Sequence, residues 1–118
     1  VNMKQMHPSV MFDMQKYHQD AWQVIQDHKQ KFIYETVKNN LEKGIADGLY
    51  RENLEPSIVS KFYLEMVNTV MDPIQSGLTE LGFEQGEVHE QMMRYHIRGI
   101  ANENGRKYLK DKFNTNHI

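Results

Sequence analysis

The chain has 118 residues, of which 39% are hydrophobic, and a net charge of −2. This length suits one domain, and the lack of a basic excess argues against a chain that grips nucleic acid through its own charge. Cysteine is absent, which excludes disulfides and thiolate chemistry and fits the reducing cytoplasm. No apolar run approaches the roughly 20 residues that span a bilayer, so no membrane partner is expected.

The first half of the chain has two helical segments. Pro8 suits the first turn of a helix, and the residues after it predict a short amphipathic helix. A long helix is predicted over about residues 20–47, because apolar side chains recur there at mostly three- or four-residue steps. These side chains are Trp22, Ile25, Ile33, Val37, Leu41 and Ile45.

The stretch GIADGLYRENLEP, residues 44–56, interrupts this pattern. Gly48 suits the left-handed position that ends a helix, and Leu49 and Tyr50 are then expected to fold back onto the core. Pro56 predicts the first turn of a third helix. The stretch therefore predicts a helix–loop–helix corner.

The second half continues the helical pattern. The third helix should end or kink at Pro73, and SGLTELGFEQGE, residues 76–87, predicts a loop with broken helical character. A fourth helix is predicted over about 84–101, and Asn102 is a candidate N-cap for a fifth over about 102–114. No strand pattern competes, so we predict an all-α single domain of about five helices.

The six histidines do not form a metal motif. HEQMM, residues 89–93, begins like a helical zinc site, but Met93 stands where the second histidine should be. His89 and His96 are two helical turns apart, about 10 Å of rise, which is too far for both to ligate one zinc ion. We therefore predict no metal site and no cofactor.

No catalytic group stands out either. A general acid–base pair needs groups that converge in a cleft, whereas Asp13, His18 and Asp20 spread around a helix at their spacing. Asp47 and Glu52 flank the corner and are more suited to capping or to solvent. No nucleophile elbow or phosphate-binding glycine loop is present. The chain is not expected to be an enzyme.

Three segments together resemble the effector-binding domain of TetR/AcrR-type transcriptional regulators. NLEKGIADGLYRENLEPSIVSKFYL (residues 40–64) is similar to the family's helix that ends in Gly-x-x-x-Gly, followed by an apolar pair, an arginine and a new helix. YHIRGIANENGRKYL (95–109) resembles a segment of Bacteroidetes-type members. PSVMFDMQKYHQDAWQVI (8–25) resembles the start of their effector domains.

The resemblance implies the ligand-sensing and dimerisation domain of a bacterial, cytoplasmic regulator. A small apolar or amphipathic effector would bind it and shift the affinity of a helix-turn-helix for operator DNA. No segment of this chain resembles that N-terminal helix-turn-helix. Contact with DNA is therefore implied only through a domain that is absent from this chain.

The resemblance also suggests where the effector and a second subunit bind. In the family the pocket lies among the helices, so inward-facing apolar and aromatic residues are candidates, with plain core positions as the alternative. These are Met14, Tyr17, Trp22, Ile25, Phe62, Met66, Val70, Met92 and Tyr95. The last two helices of each subunit usually form a four-helix bundle in the dimer. The candidates for that homodimer interface are Met93, Ile97, Arg98, Ile100, Tyr108, Leu109 and Phe113.

A second function is compatible with the same sequence. The chain could be a free-standing helical interaction or dimerisation module without a small-molecule ligand. A low hydrophobic fraction of 39% fits either function, because in both the protomer shares part of its core with a partner. A well-filled core and a native N-terminus at Val1 would favour the interaction module, and a pocket that keeps its ligand through purification would favour the effector domain.

Overall fold

The computed structural model describes residues 7–113, and within them the chain is all-α. It forms five α-helices: α1 (Pro8–Tyr17), α2 (Gln19–Ala46), α3 (Pro56–Met71), α4 (Gln85–Ile100) and α5 (Glu103–Phe113). In this range the extended backbone pairs only in one isolated bridge, between Tyr50 and Ala101. The predicted all-α class of about five helices is therefore confirmed. The predicted end of α5 near residue 114 lies outside the described residues.

The sequence predicts one domain, and the contacts divide the chain into two compact units, one up to Ile33 and the other from Tyr34. The first unit holds α1 and the first part of α2. Among its described residues, Ile25 is the single buried side chain, at 9% exposure. Its helices are supported by local bonds such as that from Gln23 Nε2 to Asp27 Oδ1, 2.8 Å long.

The helices α1 and α3 begin and end near the positions that their prolines predict. Pro8 opens α1, and Pro56 occupies the first position of α3, where a missing N–H breaks no helical bond. The Glu55 carboxylate caps α3 by accepting from the Ser57 N–H at 3.4 Å. α3 ends at Met71, before Pro73. The predicted helix starts and stops are confirmed at these positions.

A side chain from the following loop and one from the start of α4 satisfy two of the last carbonyls of α3. Ser76 Oγ donates to the Thr69 carbonyl at 2.8 Å, and Gln85 Nε2 donates to the Val70 carbonyl at 2.7 Å. A 3-10 turn spans Leu78–Leu81 between two left-handed glycines. The predicted loop therefore holds one short 3-10 turn, and its last three residues already form the first turn of α4.

The core of the second unit lies around α3 and α4. Its buried apolar side chains are Leu41, Leu64, Val70, Met92, Ile100 and Ala101. Tyr63, midway along α3, contacts His96, in the second half of α4, with 4.5 Å between ring centroids. Val70, late in α3, is bonded to Gln85 at the start of α4. The two helices therefore pack side by side in opposite directions.

None of the helices between residues 7 and 113 has both the length and the apolar character needed to cross a membrane. α2 is the longest, with 28 residues. Charged side chains recur along it, among them Lys38 and Glu42, which form an ion pair.

Candidate functional site

The corner between α2 and α3 and the junction between α4 and α5 are bound to each other through their backbones. The Arg51 N–H donates to the Ile100 carbonyl at 2.9 Å, and the Asn102 N–H donates to the Leu49 carbonyl at 3.1 Å. Gly48 has φ 76°, so the predicted left-handed helix end is confirmed. Two of the three segments with family resemblance are thus in direct contact.

The Asn102 side chain links three parts of this junction. Its Oδ1 accepts from the Gly105 N–H at 2.8 Å, which confirms the predicted N-cap of α5. Its Nδ2 donates to the Gly48 carbonyl at 2.9 Å and to the Tyr50 carbonyl at 3.3 Å. One amide therefore caps α5 and holds the corner against it.

Two glycines allow the close approach of these elements. A Cβ atom at Gly44 would overlap the Tyr50 ring, and one at Gly105 would overlap the backbone carbonyl of Leu49. The Tyr50 hydroxyl donates to Asn40 Oδ1 at 2.8 Å. Burial raises the pKa of this hydroxyl, and the Asn40 bond partly offsets that rise.

An elongated groove runs between α3 and α4, and we call it the α3–α4 groove. It has two overlapping lobes of about 490 and 1000 Å³, both widely open to solvent. The lobes share Met66, Met92 and Tyr95. One lobe is completed by Phe62, Glu65, Thr69, Val70, Leu78 and Val88, the other by Gln91, Arg94, Arg98 and Gly99.

The floor of the groove is apolar and its walls are aromatic. Val70 and Met92 are 5% and 9% exposed, so they belong to the core and form a fixed base. Phe62 and Tyr95 are 64% and 75% exposed and stand on opposite helices. Covering exposed aromatic surface with an apolar group lowers the free energy. The groove is therefore a site at which an apolar occupant would be stabilised.

The charges of the groove are unevenly distributed along it. Glu65 lies in the first lobe and forms an ion pair with Lys61 at 2.8 Å. Arg94 and Arg98 line the second lobe, and Arg94 is paired with Glu90 at 2.8 Å. The chain as a whole carries −2.

Tyr63 and His96 lie between the same two helices and were not predicted as site residues. The Tyr63 hydroxyl lies 3.9 Å from the Met93 sulfur, and its ring contacts the His96 imidazole. Burial lowers the pKa of His96. The sequence argued only against His96 as a zinc ligand, and its tilted packing on Tyr63 depends on a tertiary contact that periodicity does not encode.

The nine predicted pocket residues fall into two groups. Phe62, Met66, Val70, Met92 and Tyr95 all line the α3–α4 groove. Met14, Tyr17, Trp22 and Ile25 belong to the first unit and line neither lobe.

The inward orientation predicted for three aromatic residues is not what the structure has. Tyr17 is 66% exposed, with the Lys16 ammonium 5.2 Å from its ring centroid. Phe62 and Tyr95 are also mainly exposed. Apolar periodicity marks a helix face, but it does not reveal whether the same chain supplies the cover for that face.

The predicted dimer residues differ in how far each is exposed in the single chain. Met93, Ile97 and Leu109 are half-buried in the single chain, and Tyr108 is 46% exposed. Ile100 is 4% exposed, so it packs within its own chain and has little surface left for a partner. Arg98 lines the α3–α4 groove. The prediction for the Phe113 side chain lies outside the described residues.

Groove residues that the pocket prediction left out include Val88 and Gly99. Both follow the helical spacing of Met92 and Tyr95 along one face of α4, so this spacing could have identified them as pocket residues. Leu78 carried no such signal, because the 3-10 turn brings it to the groove. Among residues 7–113, no three His, Asp or Glu side chains lie together as a metal site would require.

Comparison with protein-family models, with curated proteins and with solved structures finds no match for this chain. A functional assignment therefore depends on the residues themselves, on their geometry and on the resemblance of the three segments.

Proposed function

We propose that this chain is the ligand-sensing and homodimerisation domain of a TetR-type transcriptional regulator. The observation that carries the proposal is the α3–α4 groove, where five of the nine residues expected at an effector site line one apolar trough. Ligand sites are commonly concave, mainly apolar and supplied with a few polar groups. The groove has this composition, and its polar lining residues are Glu65, Thr69, Gln91, Arg94 and Arg98.

The contact between the corner and the α4–α5 junction supports the same function. The two segments that resemble the family at residues 40–64 and 95–109 are joined by two backbone bonds and by Asn102. The end of α4 is therefore tied to the end of α2. A shift of α4 would therefore displace both the corner and α5.

The proposed mechanism is a population shift. An occupant of the groove favours one spacing of α3 and α4, and α4 also carries the proposed interface residues Met93 and Ile97. A change in α4 then alters how two subunits pair and how far apart their DNA-reading domains stand. A tenfold change in operator affinity requires only about 1.4 kcal/mol of differential binding.

Dimerisation is tested by sedimentation equilibrium. The chain should have twice the 14.0 kDa mass of one protomer, and Ile97→Glu should reduce it to one. Because Ile97 is half-buried, Tyr108→Glu at a more exposed site provides a second variant that is less prone to unfold. Val24→Glu, at a 69% exposed position of the first unit, is the matched control and should stay dimeric. Folded dimers of both interface variants would contradict the proposed interface.

The regulator assignment is tested in the gene. Upstream of the codon for Val1, the reading frame should encode roughly 60 to 80 residues with a basic helix-turn-helix pattern. A frame without such a pattern would remove the mechanism proposed above.

The alternative is a helical interaction module, and the openness of the groove favours it. Phe62 and Tyr95 project into solvent, as anchor positions do where a partner helix docks into a groove. The two functions differ in what covers these rings. A dimer that binds no small molecule and has no upstream DNA-binding domain would support the interaction module.

A further inference from the structure

We propose that the loop between α3 and α4 docks on α5 of a second copy of this chain, and that a two-fold dimer contains this contact twice. We call this loop, residues 72–84, the acidic loop. The contact rests on the homodimer of the proposed function, and it adds a surface that the predicted interface residues do not include. The acidic loop and α5 are opposite in charge, and both are mainly exposed in the single chain.

The acidic loop presents apolar side chains to solvent although its backbone is held in place. Ile74, Leu81 and Phe83 are 81%, 63% and 65% exposed, and they line neither lobe of the α3–α4 groove. The Ser76 hydroxyl donates to the Thr69 carbonyl at 2.8 Å and so ties the loop to α3. Exposed apolar side chains that lie close together on a surface are typical of a site that another chain covers.

The charge of the loop selects a basic partner. Asp72, Glu80 and Glu84 are exposed and give the loop a charge of −3, since it contains neither lysine nor arginine. An anionic membrane surface would be repelled by these carboxylates. Long basic side chains, by contrast, can lay their alkyl stems on the apolar side chains and direct their charged ends to the carboxylates. The ring of Phe83 also offers a face to a cation.

α5 has the complementary charge. It contains four basic and two acidic residues, a net charge of +2. Arg106, Lys107 and Lys110 are exposed and share one side of the helix at its 3.6-residue period, with Glu103 as the one acid among them. Gly105, on the other side, is buried in the single chain. The basic side of α5 is therefore turned to solvent.

α5 does not reach the acidic loop of its own chain. α4 lies between them, and its 16 residues span about 24 Å. α5 has 11 residues and spans about 16 Å, so it would end short of the loop even if it ran straight back along α4. A helix this short is only marginally stable by itself in water. Both surfaces are therefore expected to be covered by another chain.

A two-fold axis brings the two surfaces together. Met93, a predicted interface residue, lies midway along α4 (Gln85–Ile100). With the axis beside Met93 and perpendicular to α4, the two α4 helices run antiparallel. The loop end of each α4 then lies level with the α5 end of the other. Each acidic loop faces the partner's α5, and the contact occurs on both sides of the axis, as an isologous interface requires.

The test is sedimentation equilibrium of the whole chain and of two charge-reversed variants, each checked for helix content by circular dichroism. The loop variant is Asp72→Lys with Glu80→Lys, and the α5 variant is Lys107→Glu with Lys110→Glu. Each variant has like charges on the two surfaces, so its homodimer should be weaker than that of the parent chain by about tenfold or more. An equimolar mixture of the two variants has opposite charges at both contacts. It should form heterodimers with an affinity close to that of the parent homodimer.

Control variants carry the same net charges at exposed positions of the first unit. Asp13→Lys with Asp20→Lys matches the loop variant, and Lys16→Glu with Lys31→Glu matches the α5 variant. Both controls should dimerise like the parent chain. Equal weakening by the controls would show an effect of net charge alone and overturn the docking contact.

The outcomes separate this contact from the proposed function. A dimeric parent chain whose charge-reversed variants stay dimeric would keep the homodimer and lose the docking contact. Weakened variants whose mixture forms no heterodimer would also overturn the contact, and the acidic loop would then belong to a different partner. A monomeric parent chain would overturn both the contact and the homodimer. Heterodimers of the two variants without an upstream DNA-binding domain would support the contact and remove the regulator function.

Discussion

The ring of Tyr50 lies directly against the Cα atom of Gly44, so that a Cβ atom at position 44 would overlap it. Gly44 is buried in the last turns of α2, and Tyr50 is the corner residue that forms the isolated bridge with Ala101 at the α4–α5 junction. The contact sets how closely the chain can turn back on α2. The fit of the corner against the junction depends on it.

Gly44→Ala should destabilise the fold by about 1–3 kcal/mol, the usual cost of overpacking, because the Tyr50 ring must move and its bond to Asn40 is strained. Chemical denaturation measures this loss. Gly86→Ala is the matched control: Gly86 is also helical, and a Cβ there meets no atom within 4 Å. It should be neutral or gain up to about 1 kcal/mol from helix propensity. Equal stabilities of the two variants would contradict the packing at Gly44.

Asn102→Ala should cost about 2 kcal/mol, since it removes an N-cap together with two bonds to the corner. Asn102→Asp separates these contributions, because a carboxylate can still accept from the Gly105 N–H but cannot donate to the Gly48 or Tyr50 carbonyls. We expect Asn102→Asp to be less stable than the parent chain in thermal unfolding at neutral pH. Parent-like stability of Asn102→Asp would mean that the two donated bonds contribute nothing.

Ser60 is fully buried in α3, and its Oγ finds no hydrogen-bond partner within the described chain. An unsatisfied buried hydroxyl costs about 1–3 kcal/mol. Ser60→Ala should therefore raise the midpoint of denaturation. Thr69→Ala on the same helix is the control, because Thr69 is exposed and its Oγ1 already donates to the Glu65 carbonyl. A destabilised Ser60→Ala variant would indicate that this hydroxyl is satisfied.

Stability should fall as the pH is lowered through the titration range of His96. Burial lowers its pKa in the folded chain below the ordinary value of 6.5, so the unfolded chain binds the proton more readily. The contribution of neutral His96 to stability is fully present above pH 6.5. It is lost as the pH falls toward the lower pKa of His96 in the folded chain. Thermal unfolding between pH 7.5 and 5 measures this change.

Replacement of His96 should reduce that dependence. His96→Gln keeps a polar side chain on α4 but does not titrate, so its pH profile should be flatter than that of the parent chain. His89→Gln, at an exposed position of the same helix, should leave the profile unchanged. Parallel profiles for the parent chain and His96→Gln would contradict the assignment.

The sequence was sufficient for the helices because proline, glycine and asparagine mark their ends through local backbone chemistry. Pro56, Gly48 and Asn102 act at the positions expected of them. The close contact of Gly44 with the Tyr50 ring could not be predicted, because it depends on the position that the ring takes after the turn. For the same reason Tyr63 and His96 were missed, since they meet only when α3 and α4 pack.

The groove was predictable in part. Spacing placed Met66 with Val70 and Met92 with Tyr95, and these residues do line one trough. Spacing did not show that Phe62 and Tyr95 remain exposed, because exposure depends on what covers a helix face and not on the face itself. The spacing also did not show that Arg98 lines the same groove as Tyr95. Ile97, which precedes Arg98 in the chain, is half-buried.

The link between the corner and the α4–α5 junction also has a consequence for the order of folding. Asn102 and Tyr50 are 52 positions apart, so their bonds close a long loop that contains all of α3 and α4. Closing such a loop is entropically costly until the intervening helices have paired. The antiparallel α3–α4 pair should therefore form first and the link last. Asn102→Ala would then accelerate unfolding and leave the folding rate nearly unchanged.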